Sequence, residues 1–427
     1  MLDVKFVVEN PELIKKDLKK RGKEFKLENL KAILEFYPKW KKVKQELDDL
    51  RNKRNIISEN INKLKKEGKD ISPLIKEIKE IPERIKVLEL EEVDLKDKVD
   101  FNLNKLPNLL DQSVPIGKSD KDNKEIKKWG KIPKIKFELK NHAELLEKLG
   151  FADFEAGINN AGRGFNYLLK DVALLDMALQ RYGVDFLIKN KFIPVVPPML
   201  LNHKTLLSVL SGLEDFENVI YKVENEDLYL IGTGEHPLVS LFKNKTLVKE
   251  NLPTKLFTVT PCFRKEVGGH GIDTKWLFRM HQFNKVEQVV FCTPKDSIKM
   301  HKYMQALTEK FFQSLKIPYR VIEICSGDLG AKFAKQWDIE AWFPRQKEYK
   351  EVTSAGNCTD FQARALNIKY SYGKEKGYVH ILNNTMVATS RAMVAILENY
   401  QQKDGTIKVP RVLIPYMHGI KVIGKKH

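Results

Sequence analysis

The chain has 427 residues, enough for two or three domains, and with 42% hydrophobic residues it is not a disordered polymer. A formal charge of +18 favours a polyanionic partner, nucleic acid or an acidic membrane, and says little about fold. No apolar run is long enough to span a bilayer and the first residues lack a signal-peptide apolar region, so a soluble cytoplasmic protein without membrane contact is expected. Cys262, Cys292, Cys325 and Cys358 are widely spaced with no C-x-x-C pair. That fits a reducing compartment without a disulfide framework, and leaves open a zinc site built from distant residues.

Residues 1 to about 27 read as a short strand and a basic helix, with Asn10-Pro11 as the helix start. Leu30, Ile33, Tyr37, Trp40, Val43, Leu47, Leu50, Arg54, Ile57, Ile61 and Leu64 then follow at steps of three or four. Gly68-Lys69-Asp70 interrupts, and Ser72 and Pro73 read as an N-cap and first helical residue. The stripe resumes through Ile71, Leu74, Ile78, Ile81, Ile85, Leu88, Glu92, Leu95 and Val99. This pattern predicts an antiparallel coiled-coil hairpin with arms of about 50 Å, kinked at Pro38 and Pro82. Between Pro38 and Asp70, eleven Lys/Arg stand against six Asp/Glu. A basic rod suits the backbone of a structured RNA, or a dimerising coiled coil with a solvated surface. The stripes taken alone lean towards the second.

Prolines, glycines and the charge-dense run KSDKDNKEIKKWG follow. They divide the chain into an N-terminal domain over 1–104, a linker over 105–140 and a second domain over 141–427. In that domain a short helix spans 141–150, a glycine-rich turn 161–165 and a long apolar-faced helix 171–190. A strand broken by prolines spans 192–198. The stretch 228–238, LYLIGTGEHPL, reads as strand, turn and helix, with Thr233 and Glu235 two residues apart. A hydroxyl beside an acid suits a substrate ammonium, and it also fits a capped helix start.

Two strands joined by a glycine-rich loop follow, from Thr258 to Gln288. Arg264 and Glu266 share a face on the first, and Arg279, His281, Phe283, Lys285 and Glu287 share one on the second. Such a face is poor core and a plausible bed for a charged, planar ligand. A helix over 297–315 and strands over 319–326 and 337–342 come next, then Glu351-Val352-Thr353-Ser354 ahead of AGNCTDFQARAL. The last unit, 378–399, is a strand carrying Asn383 and Thr385 and a helix with Arg391 on its first turn. A helix N-terminus beside an arginine is a good place for phosphate.

The strand–loop–strand resembles motif 2 of the class II aminoacyl-tRNA synthetases, and HQFNKVE at its end resembles the seryl-tRNA synthetases in particular. Helix 171–190 with its proline-ended strand resembles motif 1, although an ordinary core helix and edge strand would read the same. Residues 378–399 resemble motif 3, so the resemblance covers essentially the whole chain. It implies an α+β fold, an antiparallel class II sheet flanked by helices and preceded by the coiled-coil hairpin. It also implies activation of serine by ATP to seryl-adenylate, then transfer to the 3′ end of tRNA(Ser), and of tRNA(Sec) where present.

By resemblance, Arg264 holds the α-phosphate of ATP, Glu266 reads the adenine amino group, Phe283 stacks under adenine and Arg279 reaches the terminal phosphates. Lys265, Val352, Thr353 and Arg391 complete the ATP site, and Glu351 and Ser354 hold magnesium against the phosphates, as suits a hard cation. Serine falls to Thr233, Gly234, Glu235, Arg264, Glu287, Asn383 and Thr385. The hairpin would grip tRNA, and motif 1 would build a homodimer. Five positions depart from the family pattern: Gly234, Lys275, Trp276, Thr353 and Ala365. Two rivals share the core: an amino-acid ligase acting on a carrier protein, and a non-catalytic tRNA-binding paralogue. The hairpin and the lack of clustered Cys/His argue against the first. Retention of Arg264, Glu351 and Arg391 argues against the second.

Overall fold

The computed structural model describes residues 1–210, 216–265 and 277–425. Glu266, Lys275 and Trp276 therefore lie outside the described residues, as do the loop glycines Gly268, Gly269 and Gly271. Contacts divide the chain into two units, Leu2–Lys19 with Lys23–Leu106, and Pro107–His427 with Met1 and Lys20–Gly22.

The first unit is helical from its start. Where a short strand was expected, Val4–Glu9 is a helix, because Asp3 accepts a hydrogen bond from the Phe6 N–H and caps it. Pro11–Lys20 is a second helix, burying Ile14 and Leu18. The apolar stripe then folds as Leu27–Lys66, a 40-residue helix about 60 Å long at 1.5 Å per residue. Pro38 lies inside that helix, which continues through it. The return comprises Ser72–Lys79 and Ile81–Lys105. Ser72 is the first helical residue and its N–H is bonded to Asp70 Oδ1, so the cap lies earlier than the sequence suggested. The expected break at Pro82 is real: one helix ends at Lys79, and Pro82 sits in the first turn of the next.

Val43, Leu47, Ile57, Ile81, Ile85, Leu88 and Leu95 make the seam between the arms. The polar residue in the second stripe has a partner. Trp40 Nε1 donates to Glu92 Oε1 at 2.7 Å, so the carboxylate satisfies an indole that the seam half buries. Arg84–Glu46 at 2.6 Å and Arg51–Glu89 at 2.7 Å join the arms at the surface. These are exposed pairs, each worth no more than about 1 kcal/mol.

The second unit is built on an eight-stranded sheet among the described residues. In chain order its strands are β1 (Lys124–Trp129), β2 (Ile193–Pro194), β3 (Thr254–Phe263), β4 (Gln282–Cys292), β5 (Tyr319–Glu323), β6 (Lys335–Phe343), β7 (Glu348–Asn357) and β8 (His380–Ala388). They lie in the order β1-β5-β6-β7-β8-β4-β3-β2, antiparallel except where β2 joins β3 in parallel. The stretch expected as a linker thus supplies an edge strand. Dense charge around Ile126, with every residue of β1 at least partly exposed, hid it from a hydrophobic pattern. Prolines confine β2 to two residues, since proline gives no N–H to a ladder.

Helix Ser297–Ser314 covers one face of the sheet and buries Met304, Leu307, Phe311 and Phe312. Helix Lys170–Lys189 buries Val172, Leu175, Leu179 and Leu187 and packs its Tyr182 ring on Phe311 at 5.0 Å. Behind β4 and β8, Thr308 Oγ1 accepts from Gln288 Nε2 at 3.1 Å and from Asn384 Nδ2 at 3.0 Å. These residues face across the two strands, and this contact fixes the register in which Glu287 stands opposite Thr385. No helix among the described residues is long and apolar enough to cross a membrane.

Candidate active site

A cavity of about 410 Å³ opens over the middle of the sheet. Its lining includes Thr233, Glu235, Arg264, Phe283, Glu287, Glu351, Val352, Thr353, Ser354, Asn383, Thr385 and Arg391, all expected from the sequence. Two irregularities explain how neighbouring residues reach it. The β6–β7 register shifts at Val352, and the β4–β8 register shifts at Met386. A bulge of this kind adds an unpaired residue, and it turns the strict alternation of a strand into a local cluster.

One wall is a row of buried polar groups. Thr385 Oγ1 donates to Glu287 Oε2 at 3.2 Å, and Lys285 Nζ lies 2.5 Å from the same oxygen. Lys285 Nζ also donates to Thr233 Oγ1 at 2.6 Å. Burial pushes the Glu287 carboxyl above its ordinary range, and the Lys285 ammonium opposes that rise. Across the cavity Glu235 accepts from Lys332 Nζ at 2.5 Å and from Gln362 Nε2 at 2.8 Å. Burial would raise this carboxyl too, but the Lys332 charge and these hydrogen bonds outweigh it and hold Glu235 at about 2. Burial pushes its neighbour His236 down to about 3, so its ring is neutral near pH 7.

Gly234 lies between the two acids. A Cβ there would stand 2.6 Å from Thr258 Cγ2 and 3.0 Å from Thr260 Oγ1. The glycine therefore belongs with these threonines, whose side chains fill the space. Asn383 is 4% exposed, and its Nδ2 has no hydrogen-bond partner. A buried donor left unmade is costly, so this amide is placed to meet a ligand acceptor.

At the other end Arg264 follows β3 directly. Its Nε donates to Gly232 O at 2.9 Å, and its guanidinium lies 5.4 Å from the Phe283 ring centre. Arg391, on the first turn of helix Thr389–Asn399, lies 3.1 Å from Glu351 Oε2 and faces the Phe278 ring at 5.2 Å. Thr353 Oγ1 is buried without a partner. Asp338 stands opposite Ser354 in the register, and its carboxyl is pushed well above the usual range by burial and by the nearby Glu351 charge.

Not every expected residue gathers here. Arg279 and His281 precede β4, which starts at Gln282, and neither lines the cavity. Arg279 is exposed. His281 Nδ1 instead meets the Tyr221 hydroxyl, and its N–H donates to Gly164 O. Lys265 also stays outside the lining, its N–H bonded to Val219 O and its ammonium 5.9 Å from the Tyr221 ring. Gly234 is absent from the lining and sits beneath it. The sequence reading gave no role to Lys285, Lys332, His236 or Phe278, all of which line the cavity. Alternation along β4 already put Lys285 on the correct face, whereas nothing local signals Lys332. The four cysteines are buried free thiols, and no group of three or more His, Cys, Asp or Glu arranged for a metal occurs among the described residues.

Comparison with known proteins agrees with this geometry. Residues 220–400 match the family described as tRNA synthetase class II core domain (G, H, P, S and T), and residues 1–110 match the seryl-tRNA synthetase N-terminal domain. The chain is 48% identical to a serine–tRNA ligase of Methanocella arvoryzae over 426 residues, covering 99% of this chain and 100% of that one. It is 45% identical to that of Pyrococcus horikoshii, covering 97% and 96%. Among solved structures, a seryl-tRNA synthetase from Pyrococcus horikoshii complexed with ATP superposes with a TM-score of 0.91 at 44% identity, over the whole of both chains. A cytoplasmic serine–tRNA ligase from Naegleria fowleri in complex with AMP gives 0.83 at 35% identity, over 98% of this chain and 96% of that one.

Proposed function

The chain belongs to the seryl-tRNA synthetase family, and on that premise we propose how its cavity works. It is a ligase that uses ATP to activate serine as seryl-adenylate and transfers the serine to the 3′ end of tRNA. The observation that carries our assignment of the serine pocket is the buried Thr385–Glu287 hydrogen bond at 3.2 Å, with a second buried acid, Glu235, in the same cavity. Glu235 and Thr233 take the substrate ammonium, and Glu287 and Thr385 take its hydroxyl. Asn383 and Arg264 meet the carboxylate end, over a floor set by Gly234.

ATP occupies the opposite end. Arg264 meets the α-phosphate, Phe283 stacks on adenine, and Arg391 and the 351–354 strand meet the phosphates. Lys265, Glu266 and Arg279 remain part of this proposal on family resemblance alone. No side chain acts as a nucleophile. The serine carboxylate attacks the α-phosphate, so catalysis rests on in-line positioning and on Arg264 stabilising charge as it develops.

Magnesium fits the same corner. Glu351 and Ser354 supply oxygen donors there, and the unpartnered Thr353 hydroxyl adds a third oxygen. Hard cations are held by one or two carboxylates together with substrate phosphates, which matches so sparse a donor set. Bound there, the ion would neutralise phosphate charge.

The basic hairpin is the tRNA grip, for tRNA(Ser) and for tRNA(Sec) where present. Motif 1 is the homodimer surface. Met177, Ile188, Ile193 and Val196 expose apolar side chains along it, Val196 at 96%. Four free buried thiols support a reducing, cytoplasmic setting.

Removing Glu287 separates this reading from a merely structural Lys285–Glu287 pair. In Glu287→Ala, kcat/KM for serine falls steeply, and the serine-over-alanine ratio in pyrophosphate exchange, roughly 10⁴ for a site built on a substrate hydroxyl, collapses. A variant that is slower but still rejects alanine as the parent does would place discrimination elsewhere. Glu351→Gln raises the magnesium concentration needed for half-maximal exchange while serine KM changes little; an unaltered magnesium curve refutes the metal role. Deleting residues 30–100 abolishes tRNA charging and spares adenylate formation, and charging that survives would sink the grip. Light scattering should return twice the chain mass, and a monomer would rule out the dimer.

A further inference from the structure

Among the described residues, every carboxylate lining the cavity already holds a cation from this chain. Lys285 lies on Glu287 at 2.5 Å, Arg391 on Glu351 at 3.1 Å and Lys332 on Glu235 at 2.5 Å. The last pair raises a problem for the serine pocket. Glu235 is the acid read as the acceptor of the substrate ammonium, and an ammonium is already on it.

We propose that Lys332 is an exchangeable counter-ion: its ammonium stands on Glu235 in place of the substrate ammonium and is replaced by it when serine binds. This rests on the reading of Glu235 as the ammonium acceptor.

The main chain around Lys332 is tied down. Asn108 Nδ2 donates to Lys332 O at 3.0 Å, Arg21 Nη2 to Phe333 O at 2.8 Å, and Ala334 N–H to Asn357 O at 2.8 Å. The Phe333 ring lies on Gly356, where an added Cβ would be 2.0 Å from Phe333 Cε1, so only glycine lets the ring lie there. What remains free to move is the four-carbon stem of the lysine, a flexible carrier of a compact charge. Lys332 Nζ also lies 4.9 Å from the Phe333 ring centre, and this face can keep hold of the ammonium once it leaves the acid.

The exchange is required by charge rather than by shape. The Glu235 side chain is 7% exposed and that of Lys332 12%. A carboxylate buried to this degree is strongly disfavoured without a cation, so Lys332 keeps the pocket stable until a ligand supplies one. Both hydrogen bonds, from Lys332 and from Gln362, end on Glu235 Oε1. The Gln362 amide is neutral and compatible with a ligand ammonium nearby, whereas a second full positive charge on the same acid repels the first, which favours departure of Lys332. Serine therefore binds against the lysine, and its apparent affinity is reduced by the fraction of molecules in which Lys332 is engaged. A ligand without an amino group leaves the pair intact and feels no such reduction.

The experiment is serine-dependent pyrophosphate exchange on the full chain with Lys332→Met, which keeps length and removes charge, and Lys332→Arg, which keeps charge. If Lys332 is engaged in about nine molecules in ten, KM for serine falls roughly tenfold in Lys332→Met with kcat little changed, and Lys332→Arg stays near the parent. 3-Hydroxypropanoate, which is serine without its amino group, serves as a competitive inhibitor. Its inhibition constant stays the same in parent and Lys332→Met, whereas a pocket merely loosened by the substitution would shift serine and inhibitor together. A serine KM that is unchanged or raised in Lys332→Met overturns the exchange. Glu235→Gln tells the two readings apart. If it weakens serine while Lys332→Met does not tighten it, the pocket stands and the exchange alone fails. If it leaves serine KM where it was, the ammonium assignment fails and the exchange with it.

Discussion

Burying charge on the face of a sheet is the constraint on which the rest of this structure depends. Glu235, Glu287 and Lys285 are each less than a tenth exposed, within one cavity. Removing one partner of such a pair leaves an uncompensated charge, at a cost of about 3–5 kcal/mol. Stability therefore requires the partners to stay within ångströms of each other, and they come from different strands and loops. Thr233 comes from the turn after a short strand, Lys285 and Glu287 from β4, and Thr385 from β8. The chemistry of the pocket is only as good as the register between these elements.

That register is enforced from the other face. Gln288 and Asn384 point away from the cavity and share Thr308 on helix Ser297–Ser314, so a one-residue slip would break these bonds and turn Glu287 into the core. The helix thus holds the register of the cavity strands from the opposite face of the sheet. The two bulges serve the same end differently. By breaking alternation at Val352 and at Met386 they change which residues face the site: the four consecutive residues 351–354 line it, and Ala388 joins Asn383 and Thr385.

Much of this was legible in the residues. Steps of three and four gave the hairpin, and alternation along 283–287 gave three of the cavity side chains, because period is a property of the backbone itself. What failed did so for local physical reasons. Arg279 and His281 lie before the start of β4 and outside the cavity that Phe283, Lys285 and Glu287 line. The edge strand β1 was read as linker because an exposed, highly charged strand has no hydrophobic signature, which is also what keeps a sheet edge from pairing with other chains. Glu92 interrupted a heptad for a reason that only the partner arm supplies, the Trp40 indole. Lys332 was missed because its role comes from a contact 97 residues away in the chain.

The same geometry bears on a harder discrimination. On the proposed assignment the pocket rejects alanine because the hydrogen bonds made to the substrate hydroxyl are lost, but threonine carries that hydroxyl too. Only the space around one methyl group is left to exclude it, and contacts of that size are worth about 1–3 kcal/mol. In this chain the floor of the pocket gains no volume from Gly234, because Thr258 Cγ2 stands 2.6 Å from where the missing Cβ would be. Glycine and threonine together fill what a larger residue and a smaller neighbour would fill. Thr258 is itself buried, 1% exposed on β3 opposite Glu287. A packed interior resists the sub-ångström shifts that would admit an extra methyl, so the sieve acts through rigidity rather than through any added contact. On the proposed assignment Glu287, beside the substrate hydroxyl, and Thr258, packed against Gly234, stand opposite each other in register, so a shift of either strand moves both.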